Sequence, residues 1–301
     1  RSAAELDAEL AELSRAASHG VAAGITRLSG DECRDRQPVI GPDVAGGVFV
    51  ESDGHLDPRR LTAALASLVT SRGGTIRAGT PVRGFAVRDG RVTAAIVGQH
   101  SAGQHSAGQH GAGPATASRG SGGEEITADS VVIAAGALSV QVTRLLGARL
   151  PMTAGKGYSL SVACQELPQA PMYLVEARAG ATPLAGRLRL AGTIEFSGLN
   201  SRLDRRRITS LTRAARAYFP ALDWTDVAEE WTGMRPLCPD GLPVLDRVPG
   251  TANAYVATGH STLGITLAAV TGAPMAEFVS TGSAPPALRP FRFPAYAGRP
   301  R

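Results

Sequence analysis

The chain has 301 residues, more than one small core accommodates, because a single hydrophobic core stops growing near about 250–300 residues and longer chains divide. Hydrophobic residues make up 43% and charged residues 19%, which suits a packed globular protein and excludes wholesale disorder; no run of about 18 uncharged apolar residues reads as a membrane span. The formal charge of +5 rests on 30 Arg and the single Lys156, with no basic block interleaved with aromatics, so nucleic acid is excluded as a partner while small anionic ligands stay open. Cys33, Cys164 and Cys238 are odd in number and far apart, the pattern of reduced thiols rather than of a disulfide or zinc framework.

The chain opens on Arg1 and enters a helix almost at once. Ser2-Ala-Ala-Glu5 is a capping box, Leu6, Leu10 and Leu13 keep helical spacing, and Gly20 stands at the C-cap. No charged stretch followed by an apolar one precedes it, so the reading is a fragment or trimmed chain without a signal peptide. Residues 21–54 read as short strands and loops ending in Gly46–Val50. Asp57-Pro58 then caps a helix whose apolar stripe is Leu61, Leu65, Leu68 and Val69, stopped by Gly73-Gly74. Strands are expected at Thr75–Ala78, Pro81–Val87 and Arg91–Val97, the last two joined by an Asp89-Gly90 hairpin turn.

In residues 98–123 the five-residue unit Ser-Ala-Gly-Gln-His recurs and places His100, His105 and His110 among Gly, Ala and Ser. A His-rich tract can bind metal, but no carboxylate or thiol partner lies in this one, so it reads first as an expanded surface loop and no metal site is assigned. Ser130–Ala135 is a continuous apolar strand of the kind buried on both faces of a parallel sheet, ended by Gly136 and followed by a helix with Val140, Leu145 and Leu146. Strand–Gly–helix is the geometry of a doubly wound sheet, with its ligand at the strand's carboxyl end. Antiparallel strands follow at Tyr158–Ala163, Met172–Glu176 and Leu188–Phe196, then a basic helix near Asp204–Tyr218, a strand at Ala254–Ala257 and a helix to about Val279. The fold class is α/β with α+β mixed in, built as two interleaved domains.

Two segments carry chemistry. Trp231–Val244 holds two Gly and three Pro around Arg235, so Arg235 is expected on a rigid loop, where it is either a surface residue of a structural turn or a bidentate carboxylate anchor. Gly259-His260-Ser261-Thr262-Leu263-Gly264-Ile265-Thr266 follows a strand and opens a helix, whose free N–H groups favour an anion; His260 reads as a structural residue first and a base second. The sequence has no Gly-x-Gly-x-x-Gly after a strand, no Gly-x-Ser-x-Gly elbow, no His-Glu-x-x-His and no Walker loop.

At Val131–Ser139 (VVIAAGALS), Gly155–Leu160 (GKGYSL), Arg187–Phe196 (RLRLAGTIEF), Trp231–Val244 (WTGMRPLCPDGLPV) and Ala257–Ala268 (ATGHSTLGITLA) the sequence resembles the FAD-dependent D-amino-acid dehydrogenases of the D-amino-acid oxidase and glycine oxidase superfamily. The five pieces occur in family order over roughly residues 40–283, with the His-rich tract as an insertion. The resemblance implies a Rossmann-like FAD-binding domain, N-terminally truncated, interleaved with an antiparallel-sheet substrate domain. Residues 1–54 and 150–235 would form the substrate domain, 55–149 and 236–283 the FAD-binding domain with 98–123 inserted, and 284–301 a tail. Arg235 would hold the substrate carboxylate, with Tyr158 and Tyr173 as pocket candidates. Val82, Ala135 and Gly136 would approach the cofactor, and Gly259, His260, Ser261, Thr262, Leu263, Gly264, Ile265 and Thr266 would wrap the isoalloxazine ring.

The implied reaction is oxidative deamination of a D-amino acid by hydride transfer to flavin N5. The runner-up is a glycine- or sarcosine-type amine oxidase, and a third reading is a non-catalytic relative or one part of a split enzyme. The partners are a small amino acid and an electron acceptor of unknown identity. The implied location is the cytoplasm, with peripheral contact at the membrane's inner face left open. Two departures stand out besides the missing Gly-x-Gly-x-x-Gly unit: Ser261 stands for the second Gly of the family's usual Gly-His-Gly, and Cys238 for the usual Thr before Pro-Asp-Gly.

Overall fold

A computed structural model describes residues 3–20, 23–98 and 123–293; the Ser2 cap and His100, His105 and His110 lie outside the described residues. In chain order the elements are α1 (Ala3–Ser18), β1 (Ile25–Ser29), α2 (Gly30–Arg36), β2 (Gly46–Val50), α3 (Pro58–Ser71), β3 (Val82–Arg88), β4 (Arg91–Val97), β5 (Glu124–Thr127) and β6 (Val131–Ile133). A 3-10 turn (Gly136–Leu138) leads into α4 (Ser139–Arg144), then β7 (Thr153–Ala163), β8 (Met172–Leu174), β9 (Ala179–Leu184), β10 (Arg187–Glu195), α5 (Arg205–Arg216), β11 (Val227–Leu237), β12 (Val244–Arg247), β13 (Ala254–Thr258) and α6 (Gly264–Thr281). A final 3-10 segment covers Pro286–Phe291. The chain divides into two compact units: Arg1–Ala64, Gly157–Glu195 and Ser201–Gly233 make the first, and Leu65–Lys156, Phe196–Asn200 and Met234–Arg301 the second.

The first unit is built on a five-stranded sheet of order β11-β7-β10-β9-β8, with β8, β9 and β10 antiparallel. Strand β10 alternates buried and half-buried positions, so Leu188 and Leu190 point one way with Tyr158, Leu160 and Val162 of β7 in the same core. Helix α5 closes that core. Asp204 caps it by accepting the Arg206 N–H, and Ile208, Leu211 and Ala215, spaced three and four apart, form its buried stripe beside Phe219. Each such side chain taken fully out of water contributes roughly 1.5–3 kcal/mol.

The second unit holds two three-stranded sheets, ordered β3-β4-β5 and β12-β13-β6. Strand β13 runs parallel to β6 with Ala254 opposite Val131, and antiparallel to β12. The β3–β4 hairpin turns at Asp89 (φ 50°) and Gly90 (φ 73°), the doubly left-handed turn that an Asp-Gly pair favours. Asn253 ties the sheets together: its Oδ1 accepts the Val92 N–H at 2.8 Å, and its Nδ2 donates to the carbonyls of Val92 (2.8 Å) and Asp129 (2.7 Å).

Several expectations change. The segment Thr75–Ala78 forms no ladder among the described residues and its last residue lies in a turn, so the expected strand is not formed. The apolar run at 130–135 shortens to the three residues of β6, and Val132 is 45% exposed, so one face is open rather than both buried. The stripe of α3 is real as a pattern, yet no residue of α3 is buried. Among the elements not read from sequence are α2, β9, β11 and β12. The polar α2 is announced by a capping box, Ser29 Oγ accepting the Glu32 N–H while the Glu32 carboxylate accepts the Ser29 N–H, and β9 (Ala-Gly-Ala-Thr-Pro-Leu) has little intrinsic strand preference and is held by β8 and β10 on either side.

Candidate active site

The parallel pair β6 and β13 ends in two glycine turns, the place where an open α/β sheet holds its ligand. After β6, Gly136 adopts φ 54° with open space where a Cβ would stand, and its carbonyl accepts the Thr258 Oγ1 hydrogen at 3.0 Å, fastening the two strand ends. Three residues on, the buried Ser139 hydroxyl has no hydrogen-bond partner among the described residues. After β13, Gly259 has φ 84°, and a Cβ there would lie 2.6 Å from Cys238 Sγ, so glycine is required both by conformation and by packing.

The loop that follows leads into α6. His260 Nε2 pairs with Thr271 Oγ1 of that helix at 3.0 Å, and burial lowers the pKa of its ring. Ser261 sits at φ 53°, the left-handed region that favours glycine. Among the described residues no side chain caps the N-terminus of the 18-residue helix α6, whose first residues Gly264, Ile265 and Thr266 are exposed. Its amide dipoles therefore present partial positive charge to anything placed before them.

Arg235 lies within β11, not on the expected loop. The strand tolerates Pro236 because β11 is at the sheet edge, where a missing N–H disturbs no ladder. Two contacts fasten this end of β11 to the glycine loop: the Ser261 N–H donates to the Pro236 carbonyl at 3.0 Å, and Leu237 forms a β-bridge with His260. Burial lowers the pKa of the Arg235 guanidinium, which stays charged. Burial, with Asp240 adding to it, pushes the Cys238 thiol up to about 11, so it is a poor nucleophile at neutral pH.

Arg235, Ala135, Gly136 and Gly259–Thr266 thus share the second unit, together with Val82, the first residue of β3, paired to Val97. Tyr158 and Tyr173 belong to the first unit: Tyr158 is buried with its hydroxyl donating to Glu195 Oε2 at 2.8 Å, whereas Tyr173 is 61% exposed. One polar residue was not read as part of a site. Lys156, the chain's only lysine, is 2% exposed on β7 and donates to Asn200 Oδ1 at 2.9 Å. A cleft of about 560 Å³ lined by Arg77, Ala78, Gly79, Thr80, Val97, Gly98 and Glu124 contains none of the candidate residues. The open cradle at Gly136 and the uncapped α6 suit the ring end of a flavin; no Gly-x-Gly-x-x-Gly for its pyrophosphate occurs in the 301 residues.

The sequence profile of one family, described as DAO, FAD dependent oxidoreductase, matches residues 1–278. The chain belongs to this family of FAD-dependent oxidoreductases. It is 33% identical over 281 residues to a D-amino acid dehydrogenase of Paramagnetospirillum magneticum, covering 91% of this chain and 61% of that relative. A D-amino acid dehydrogenase of Methylobacterium nodulans is 38% identical over 166 residues, which cover 54% of this chain and 39% of the relative. Among solved structures, a glycine oxidase from Bacillus cereus superposes with a TM-score of 0.77 at 22% identity, covering 96% of this chain and 73% of that one. An iminodiacetate oxidase from Chelativorans reaches a TM-score of 0.75 at 23% identity, covering 97% and 73%. These likenesses establish a shared mixed α/β fold with antiparallel sheets.

Proposed function

We propose that the protein deaminates a D-amino acid oxidatively, with FAD as cofactor and an electron acceptor other than oxygen. The observation that carries the reading is the fastening of Arg235's strand to the glycine loop before α6: one cation and one uncapped helix terminus are held by the same two contacts. When bound, FAD supplies the acceptor for the two electrons and the hydrogen that leave the substrate Cα as hydride. The chain's own work is binding and orientation. The guanidinium of Arg235 offers two parallel N–H donors that match the substrate carboxylate, and the open cradle at Ala135–Gly136, the loop Gly259–Thr266 and the backbone at Val82 would hold the cofactor. The amides at the start of α6 favour negative charge on the group they face. The imine left on the substrate takes up water and releases ammonia and a 2-oxo acid, a step that asks for no protein base. Tyr158 and Tyr173 are kept as candidates for substrate binding. The reaction is placed in the cytoplasm.

A glycine- or sarcosine-type amine oxidase is the second reading, favoured by the likeness in fold to a glycine oxidase. An anaerobic screen of D-amino acids, L-amino acids and glycine against the flavin-loaded protein, following flavin bleaching and then reoxidation by oxygen or by dye, separates the two. Bleaching by D-amino acids with slow reoxidation by oxygen is the expected result. Arg235→Ala is expected to lower kcat/KM by at least about thirtyfold, from a loss on the order of 2–5 kcal/mol, with flavin content unchanged; Arg235→Lys should recover little, because an ammonium is a point charge. Turnover of both variants at the parent rate would remove Arg235 from the site. A preparation that never takes up flavin would favour a non-catalytic relative.

A further inference from the structure

Strands β7 and β10 are neighbours in the sheet of the first unit, and each sends alternate side chains to the two faces. Tyr158 and Leu160 of β7 and Leu188 and Leu190 of β10 belong to the core that α5 closes. Ser159 and Arg189, one place along in each strand, therefore stand on the other face. There Arg189 reaches across Ser159 toward the edge strand β11: its Nη2 donates to Ser159 Oγ at 3.2 Å, and its Cζ lies 5.6 Å from the centre of the Trp231 ring. The ring folds back over Gly233, where a Cβ would lie 2.0 Å from the indole Cη2, so that glycine makes room for the ring beside Arg189. Ser159 is 3% exposed and Trp231 48%, which gives the group a buried floor and an open side.

The half-buried cation is undercompensated. A guanidinium carries five N–H donors, and among the described residues one of them is used here, on a neutral hydroxyl, with no carboxylate at ion-pair distance. The two acids in its surroundings are committed elsewhere: Glu229 pairs with Arg59 at 2.8 Å, and Asp57 accepts the N–H groups of Arg59 and Arg60 at the start of α3. Burial first, and the Arg59 charge second, lower the pKa of Arg189 against the pull of Glu229 and Asp57, although an Arg stays charged. We propose that Arg189, Ser159 and Trp231 form a binding site for a planar carboxylate. Two parallel N–H donors match the two oxygens of a carboxylate, and the half-exposed indole beside them offers an apolar face to the carbon chain that follows. Ser159 fixes the fork from below. A tetrahedral phosphate asks for a second cation or a row of free amides, and Arg59 is already paired. The carboxylate can come from the side chain of an acidic amino-acid substrate or from a free dicarboxylate. The first source rests on the redox reading; carboxylate binding itself does not.

The test is titration calorimetry of the full chain with glutarate and with glutaramide, its uncharged diamide, alongside tryptophan fluorescence. Saturable binding of glutarate with a change in fluorescence, and no binding of glutaramide, are expected. Arg189→Gln should weaken glutarate binding at least about thirtyfold, because it removes one partner of a charge pair, and Ser159→Ala about three- to tenfold. Trp231→Phe should remove the fluorescence change. Arg206→Gln, which takes the same charge from an exposed position on α5, should leave binding within about twofold, and circular dichroism checks that each variant is folded. In the flavin-loaded protein, faster bleaching by D-glutamate than by D-glutamine, with the preference lost in Arg189→Gln, would assign the carboxylate to the substrate side chain; glutarate binding without that preference would assign it to a free dicarboxylate. Failure of every amino acid to bleach the flavin would sink the redox reading and leave the glutarate result standing. No saturable glutarate binding below about 10 mM, equal binding by the parent and Arg189→Gln, or equal binding of glutaramide would each overturn the proposal.

Discussion

The two units differ in how completely they bury what they are made of. In the first, Leu160, Val162, Leu188, Leu190 and Phe219 are fully buried in one continuous cluster. In the second, the apolar residues divide between two smaller clusters, and the helices stay largely outside them: α6 buries only Met275 and Phe278, and Val270 on the same helix is 66% exposed. Arg235 and the cofactor-side candidates lie on the less buried unit, on a helix terminus and two glycine turns of positive φ. That division is physically sensible. Elements that must receive a ligand come from the less stable part of a molecule, because a fully satisfied packing arrangement has nothing left to offer a partner.

Four substitutions break or sharpen this contrast. The largest effect belongs to the first unit: Phe219→Ala should cost about 3–5 kcal/mol, seen as a lowered denaturation midpoint, because a fully buried ring leaves a cavity its neighbours cannot fill. A loss below about 1 kcal/mol would mean the cluster is not the protein's stability core. In the second unit, Asn253→Ala should cost about 3 kcal/mol and speed hydrogen exchange at Val92, since it strips partners from one buried N–H and two carbonyls. Should Asn253→Ala cost more than Phe219→Ala, the ranking of the units reverses.

Ser261→Gly is expected to stabilise by about 0.5–1 kcal/mol, the relief of a left-handed serine minus the greater freedom of glycine in the unfolded chain, and to raise the melting temperature by a few degrees. A fall in melting temperature would show that the Ser261 side chain, rather than its backbone, is what the loop needs. The smallest effect concerns pH. Burial depresses the folded pKa of His260, so below about 6.5 the unfolded state binds more protons than the folded state and stability falls with acidity. His260→Asn should flatten the melting temperature between pH 7 and pH 5 relative to the parent; an unchanged slope would assign the acid sensitivity to other groups.

What was legible in the sequence had a local cause. The Asp89-Gly90 turn, the helix that opens after the glycine loop and the glycines at 136 and 259 each answer to rules that act within a few residues, and each stands where those rules put it. Arg235 was given the wrong setting. Gly and Pro around it signal a loop, and only the position of β11 at the sheet edge lets Pro236 remain in a strand. Lys156 gave no local signal at all, because its burial against Asn200 joins residues 44 positions apart.

Composition and periodicity by themselves determined the mixed α/β character, most of the helices and the turn chemistry, because these depend on side-chain pattern over spans shorter than one element. The tertiary structure alone decided which apolar stripes are used. Leu188 and Leu190 of β10 and Leu65 and Leu68 of α3 are equally regular in sequence, yet the first pair is fully buried and the second is nearly half exposed. A stripe states only that a face prefers to leave water; whether it does depends on the element placed opposite, and that is settled by chain segments far away in sequence.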